Sequence, residues 1–183
     1  MGAAGILPYI KQLLLLPHMI VVGLLGFTAF FVVWIGYFIV LFTGKRLSDG
    51  MHSFISGVIG WSTRTYAWLF SLVDEYPPFE LQPTGYPAEW TENDTAPGRN
   101  RLLGLAGIFG VKLLLALPHF IVVGILGFAA FIAAWVGYWI VLFTGRLPEG
   151  IHTFVEGTLR WGARVYAWIA GLTDTFPPFS LES

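Results

Sequence analysis

Residues 16–44 read LPHMIVVGLLGFTAFFVVWIGYFIVLFTG, and residues 117–145 read LPHFIVVGILGFAAFIAAWVGYWIVLFTG. The two stretches match without a gap, so that His18 corresponds to His119, and neither contains a charged residue. Since about 20 apolar helical residues cross a hydrocarbon core about 30 Å thick, each stretch is long enough to span a bilayer. The sequence therefore predicts two transmembrane helices of the same kind.

The composition agrees with a membrane protein. Hydrophobic residues make up 56% of the chain and charged residues 11%, with a mean hydropathy of +0.71. A soluble domain carries about 25% charged residues. The net charge of −1 and the lack of a Lys/Arg cluster argue against nucleic-acid binding. The absence of cysteine excludes disulfides, thiolate metal sites and iron–sulfur clusters.

The chain is predicted to consist of two tandem membrane repeats joined by a linker. The repeats cover residues 5–81 and 100–181, and a polar linker rich in Pro and Gly covers residues 82–99. Each repeat is expected to begin with a short helix, residues 6–16 or residues 102–117, which precedes the transmembrane helix.

A Leu-Pro-His sequence separates the short helix from the long one in each repeat. Proline fits the first position of a helix, where its missing N–H costs no hydrogen bond. Pro17 and Pro118 are therefore expected either to begin the transmembrane helix or to kink one longer helix.

A third segment, residues 51–73 or residues 151–173, completes each repeat. In the second copy, polar side chains recur every four residues along one helix face: His152, Glu156, Arg160 and Arg164. Each charge at the bilayer centre costs about 2.5–3.5 kcal/mol, and each large apolar residue returns about 0.3–0.6 kcal/mol. The three charges therefore outweigh the apolar residues, and we predict an amphipathic helix that lies in the interface.

This prediction has a geometric consequence for the duplication. Repeats that each cross the membrane once face opposite ways and form an inverted pair. In the alternative arrangement, the third segments also span, which gives four transmembrane helices in parallel repeats. The strong identity between the copies favours the parallel arrangement, whereas the cost of the charges favours the inverted one. Both arrangements are all-α.

The shared motifs resemble those of a known family. Both copies contain Leu-Phe-Thr-Gly at the end of the long helix, Arg-x-Tyr in the third segment and an Asp-x-aromatic-Pro-Pro-Phe ending. In this combination the chain resembles the bacterial membrane family called domain of unknown function 4389, in two tandem copies. The resemblance implies a prokaryotic integral membrane protein with no established activity and no catalytic residues to transfer.

The candidates for cofactor binding are four histidines at matched or nearly matched positions: His18, His119, His52 and His152. Paired histidines on neighbouring helices can ligate haem iron. The alternative is that these are polar residues near the membrane boundary. No metal site is predicted, and no cofactor is expected.

The candidates for contact with lipid or a partner belong to two motifs. They are Arg64, Tyr66, Arg164 and Tyr166 in the Arg-x-Tyr sequences, and Pro77, Pro78, Phe79, Pro177, Pro178 and Phe179 in the Pro-Pro-Phe sequences. An arginine near a membrane commonly extends its guanidinium to the headgroups, and Tyr prefers the membrane–water boundary. Consecutive prolines end a helix, so they serve either as a rigid stop or as a docking surface for another subunit.

No set of acid, base and nucleophile recurs in the two copies, so no catalytic residue is predicted. We expect a non-enzymatic integral membrane protein of the bacterial cytoplasmic membrane. It would act as an accessory or scaffolding subunit, with the lipid bilayer and other membrane subunits as its partners. One alternative is a cofactor-, pigment- or lipid-binding protein that uses the paired histidines or a groove between the repeats. A second alternative is a small transporter.

Overall fold

The computed structural model describes residues 8–90, 92, 94 and 96–182. Its helices are α1 (Pro8–Thr43), α2 (Asp49–Leu69), α3 (Arg101–Ile108), α4 (Val111–Thr144) and α5 (Glu149–Ile169). Among the described residues there is no β-strand, and one isolated antiparallel bridge pairs Lys45 with Gly98. The predicted all-α fold is confirmed, and α1 and α4 are long and apolar enough to span a membrane.

The two prolines lie inside helices. α1 is continuous through Pro17, and α4 is continuous through Pro118, so the prediction that proline begins a new helix is wrong. In repeat one, the predicted short helix forms the first part of α1, with residues 6 and 7 outside the described chain. In repeat two a separate short helix exists, but it ends at Ile108. Gly110, in the left-handed region at φ 72°, separates it from α4.

In each repeat the third segment folds back along the long helix. Near the end of α1, a Cβ on Gly36 would lie 3.5 Å from Cε of Met51. Near the start of α1, the ammonium of Lys11 donates a hydrogen bond to the carbonyl of Trp68. α2 is therefore antiparallel to α1 over most of its length, and α5 packs along α4 through matching contacts.

The third helices end at residues 69 and 169, four residues before the predicted limits of 73 and 173. Ser71 (φ 58°) and Gly171 (φ 72°) adopt the left-handed conformation, which an α-helix does not continue. The N–H of Leu72 then donates to the carbonyl of Ala67 at 2.9 Å, and repeat two forms the same bond. This is a Schellman ending, which satisfies carbonyls that the helix leaves free.

The two repeats are antiparallel to each other. Nζ of Lys11, at the start of α1, lies 5.8 Å from the ring centre of Tyr138, near the end of α4. Reciprocally, Nζ of Lys112, at the start of α4, lies 5.4 Å from the ring centre of Tyr37, near the end of α1. The long helices therefore point in opposite directions, as an inverted pair requires, and the alternative of parallel repeats is wrong.

The third helices form a central contact between the repeats. Leu47, just before α2, and Ile55, in α2, belong to one buried cluster with Ala167, at the end of α5, and Leu172, just after it. α2 and α5 are therefore also antiparallel. α1 and α4 lie on the flanks of this pair, and large apolar side chains are exposed along both.

The short helix α3 of repeat two packs on α1 of repeat one. At Gly104, a Cβ would lie 3.1 Å from the backbone nitrogen of Leu41 and 3.1 Å from the backbone oxygen of Tyr37. The Tyr37 hydroxyl also donates a hydrogen bond to the carbonyl of Ile169 in α5. The two repeats therefore interlock through backbone contacts as well as side chains.

We predict that Gly104→Ala destabilises the protein, because the added methyl group meets backbone atoms of α1 that cannot move aside. Overpacking of this kind costs about 1–3 kcal/mol. The measurement is the thermal unfolding midpoint in mild detergent. Gly124→Ala is the matched control, since a Cβ at Gly124 in α4 meets no atom within 4 Å. Equal midpoints for the two variants would contradict the close approach of α3 to α1.

Candidate functional site

Each repeat contains a buried group of rings around one histidine, which we call the ring cluster. In repeat one it consists of His18, Trp61, Tyr76 and Phe79. The indole N–H of Trp61 donates to Nδ1 of His18 at 2.9 Å. Phe79 stacks on the imidazole with ring centres 3.8 Å apart, and Tyr76 meets its edge at 5.0 Å. His18 has no exposed surface.

Repeat two builds its ring cluster from His119, Trp161, Phe176 and Phe179. The indole donates to Nδ1 of His119 at 3.0 Å, and Phe179 stacks on the imidazole at 3.9 Å. Phe176 takes the position of Tyr76, at 4.9 Å. Because Nδ1 accepts a hydrogen bond in both copies, the neutral imidazole carries its proton on Nε2.

The Pro-Pro-Phe sequences place the stacking ring of each cluster. The first proline, Pro77 or Pro177, is buried, while the second is half-buried or exposed. Phe79 covers the imidazole but retains 51% of its surface exposed, and Phe179 retains 55%. The motif therefore acts as a rigid stop that fixes a ring, and it leaves part of each phenyl group free for contact with another molecule.

The structure does not bring His18 and His119 together. They belong to different ring clusters, and within the described chain no hydrogen bond or ring contact joins them. Both Nε2 atoms are buried among protein atoms, so an iron would find no open coordination position. The same residues include no group of three His, Cys, Asp or Glu that could hold a metal ion. The arrangement does not fit a haem held by paired histidines.

His52 and His152 lie near the starts of α2 and α5, at opposite ends of the molecule, and form no common site. Burial, and after it the positive charge of Arg46, lowers the pKa of His52, so its imidazole is neutral near pH 7. His152 lies 3.6 Å from a carboxylate oxygen of Glu156, which also pairs with Arg160.

The two arginines of the Arg-x-Tyr motifs bind the segment that follows the Pro-Pro-Phe sequence. Arg64 is 3% exposed and donates to the carbonyl oxygens of Glu80 at 2.6 Å and Leu81 at 3.3 Å. Arg164 likewise donates to the carbonyl of Glu182 at 2.6 Å. Their first partners are therefore backbone oxygens of their own chain, where we had expected lipid or a partner subunit.

Sequence reasoning did not single out two fully buried charges, those of Lys11 and Lys112, which are 1% and 2% exposed. Lys11 donates to the carbonyl of Trp68 at 3.0 Å and to Oγ of Ser71 at 2.8 Å. Lys112 donates to the carbonyl of Trp168. These carbonyls lie in the last turns of α2 and α5, where the helix dipole favours a cation. The signal in the sequence was the recurrence of lysine at one matched position inside an apolar stretch.

Each ammonium also faces aromatic rings from both repeats. Nζ of Lys112 lies 4.6 Å from the ring centre of Trp168 in its own repeat and 5.4 Å from that of Tyr37 in the other. A desolvated cation over an aromatic face gains about 2 kcal/mol. We call this group the lysine clasp, and Lys11 forms its counterpart with Trp68 and Tyr138.

The linker is held by its own buried polar groups. Arg99 donates to the carbonyl of Leu172, after α5, at 2.6 Å and lies 3.5 Å from the carboxylate of Asp94. Burial opposes ionisation of Asp94, but hydrogen bonds and the charge of Arg99 hold its pKa below the usual value. Burial, and after it the charge of Glu75, raises the pKa of Tyr86 to about 12. The Tyr86 hydroxyl therefore stays protonated and donates to the Glu75 carbonyl.

An apolar groove lies between α1 and α4, with α2 and α5 as its floor, and its volume is about 640 Å³. Small residues on the two walls keep it open: Gly26, Ala29, Gly127 and Ala130. Tyr66 and Tyr166, which are 38% and 58% exposed, line its opposite ends. Ligand pockets usually have volumes of about 300–1,000 Å³ and mostly apolar walls, so the groove has the dimensions of a binding site.

The chain matches the family described as Domain of unknown function (DUF4389) over residues 9–80 and again over residues 108–180. Because these two matches cover most of the chain, the protein belongs to that family and contains two tandem copies of its domain. No curated protein and no solved structure matches the chain.

We predict that Lys112→Met lowers the free energy of unfolding by about 1–3 kcal/mol, because the buried carbonyl of Trp168 loses its charged donor and retains the N–H of Gly171. The measurement is chemical unfolding in mild detergent, followed by circular dichroism. Lys45→Met is the matched control, because Lys45 is exposed and its replacement is expected to change little. Tyr37→Leu should cost less in the Lys112→Met background than alone. Fully additive effects would contradict the lysine clasp.

Proposed function

We propose that this protein is a non-enzymatic membrane protein of the bacterial cytoplasmic membrane, and that it serves as an accessory or scaffolding subunit of a larger membrane assembly. The observation that carries the proposal is the use of the shared polar side chains. The buried lysines, the ring-cluster histidines and the Arg-x-Tyr arginines all bind groups of their own chain. Polar side chains used in this way stabilise the fold, and few of their donor and acceptor groups remain available to a substrate.

The exposed surface of the long helices supports attachment to a membrane. Leu24 and Phe27 of α1 are 65% and 66% exposed, and Ile125 and Phe128 of α4 are 65% and 68% exposed. Monomeric soluble proteins rarely expose apolar patches larger than a few hundred Å². In contact with lipid acyl chains, these side chains avoid the free-energy cost of exposure to water.

The exposed aromatic residues of the ring clusters support contact with another subunit. Phe79 and Phe179 are rigidly held by the preceding prolines and by stacking on histidine, yet about half of each ring is exposed. Rigid aromatic side chains lose little conformational entropy on binding, which is why they are frequent at protein interfaces. The duplication offers two such sites on one chain.

Two measurements test the proposal. We expect the protein to remain in the membrane pellet after a carbonate wash and to be extracted only by detergent. We further expect a larger complex of fixed stoichiometry when it is purified from native membranes in mild detergent. Phe79→Ser combined with Phe179→Ser should release the partner while the protein stays in the membrane. A protein that is washed out by carbonate, or that is a lone monomer in every native extract, would contradict the proposal.

The groove favours a second function, the binding of one phospholipid acyl chain. Its walls are the two most apolar helices, and its lining is mostly apolar along its whole length. It opens between α1 and α4, so an acyl chain would enter it directly from the hydrocarbon. The hydroxyl groups of Ser62 and Thr158 lie among the lining residues and could contact an ester group.

Filling the groove should expel this lipid. A Cβ at Gly127 meets no atom within 4 Å, so Gly127→Leu places its side chain in the groove without a clash at the backbone. Gly124→Leu on the same helix is the matched control, because Gly124 is equally unobstructed and does not line the groove. Native mass spectrometry should show a retained lipid on the wild type and on the control, and none on Gly127→Leu. Equal retention by all three proteins would count against the groove as the site.

A further inference from the structure

α1 and α2 lie along each other with opposite chain directions. They touch near Gly36 and Met51 at one end and at Lys11 and Trp68 at the other. Between residues 11 and 36, α1 rises by about 38 Å at 1.5 Å per residue, which exceeds the thickness of a hydrocarbon core. α2 rises by about 26 Å between Met51 and Trp68, so any bilayer that α1 crosses along this stretch would also contain most of α2.

The chain that follows α2 travels back along the same length. The Tyr76 hydroxyl donates to the carbonyl of Leu14 at the start of α1. Gln82 donates to the carbonyl of Ser53 in the first turns of α2, and the bridge at Gly98 then reaches the far end of α1. In the described part of residues 72–100 there is no helix or strand, so this return path is made of irregular backbone.

Irregular backbone is not found in contact with lipid, because its unpaired N–H and C=O groups have no water to bind there. The return path also carries the exposed carboxylates of Glu80 and Glu89. Near the middle of α5, Glu156 and Arg160 keep 44% and 39% of their side-chain surface exposed. A bilayer crossed by α1 would have to accommodate all of these groups in its hydrocarbon core.

We propose that α1 and α4 lie in the plane of the membrane, within one leaflet, and that α2, α5 and the linker lie on its aqueous side. The inference rests on the membrane attachment proposed above. The acyl chains of a single leaflet would cover the exposed apolar face of α1 and α4. This in-plane arrangement differs from the transmembrane arrangement that the length and hydropathy of α1 and α4 predict.

One line of side chains marks the buried face on each long helix. Leu13, Leu24 and Phe42 are separated by 11 and 18 residues, which is close to three and five whole turns, so they project from the same side of α1. They are 70%, 65% and 72% exposed. The matching line on α4 consists of Leu114, Ile125 and Phe143. An interfacial helix buries such a face about 5–10 Å below the headgroups.

Both long helices lie on the same side of the molecule. Residues of all four helices line one groove, so α1 and α4 both stand on the side of the α2–α5 pair on which that groove lies. A second cavity, of about 310 Å³, lies between the linker and the start of α5, with Glu89, His152 and Arg160 in its lining. The molecule is therefore apolar on the side of α1 and α4 and polar on the side of the linker.

Sidedness of labelling tests the proposal directly, since the native chain has no cysteine. Ser48→Cys and Glu149→Cys stand at opposite ends of the long helices, and Glu80→Cys stands between them on the linker side. A membrane-impermeant maleimide is applied to spheroplasts and to inverted vesicles. We expect all three cysteines to react from one side and none from the other. Reaction of Ser48→Cys and Glu149→Cys from opposite sides overturns the proposal, whether Glu80→Cys is reactive or covered by a partner subunit.

Depth provides a second, independent measurement. Nitroxide labels on Leu13→Cys, Leu24→Cys and Phe42→Cys, in vesicles of phosphatidylglycerol and phosphatidylcholine, should show equal depths by oxygen and nickel accessibility. A deep Leu24→Cys between two shallow labels indicates a spanning helix and overturns the proposal. Retention after a carbonate wash together with opposite-side labelling overturns the in-plane arrangement alone, whereas removal by carbonate overturns the membrane attachment on which it rests.

Discussion

Burial of an ammonium group at the end of a helix is the interaction on which the arrangement of the repeats depends. A lysine that is 2% exposed must find partners inside the protein, because an isolated buried charge is very costly. The last carbonyls of a helix have no partner within that helix, and Lys112 uses the one at Trp168. Tyr37 of the other repeat covers the remaining side of the cation. Tyr37 lies near the end of α1, and Lys112 lies at the start of α4. The ring of Tyr37 can therefore reach the ammonium of Lys112 only when the two repeats are antiparallel.

The same rule explains why the segments after α2 and α5 are ordered without regular structure. Their carbonyl oxygens accept hydrogen bonds from Arg64 and Arg164, and a ring from each Pro-Pro-Phe sequence stacks on a histidine of the long helix. Each extended segment therefore covers one face of its third helix with bonds that a membrane could not supply. The Arg-x-Tyr and Pro-Pro-Phe motifs therefore act together, because both hold the same irregular segment against the third helix.

The sequence was sufficient to predict the duplication, the all-α class and the residue ranges of the third helices to within four residues, because hydrophobic length and a four-residue polar period are local properties. It could not show that helix α1 continues through Pro17, since the cost of a proline depends on whether its neighbours accept the lost hydrogen bond. It also led to the expectation that Arg64 would meet lipid. The carbonyls of Glu80 and Leu81 that bind Arg64 lie beyond the end of α2 in irregular backbone, and no periodic pattern points to them. The recurrence of lysine at one matched position pointed to the lysine clasps, but each clasp also needs a ring from the other copy, which no local pattern identifies.

The mean hydropathy of a helix shows whether it can enter the hydrocarbon core of a bilayer. It does not show whether the helix crosses the bilayer or lies in its plane. The apolar stretch of α1, Lys11–Thr43, is about 50 Å long at 1.5 Å per residue, while a crossing requires only about 30 Å. A spanning helix of that length must tilt or extend beyond the hydrocarbon, whereas a helix in the plane of a leaflet meets no such limit. The partners of a helix then decide its direction. α2 is held along α1 by contacts at both ends, and the irregular chain along α2 carries exposed carboxylates that require water. The proposed direction of α1 therefore follows from the segment that comes after α2.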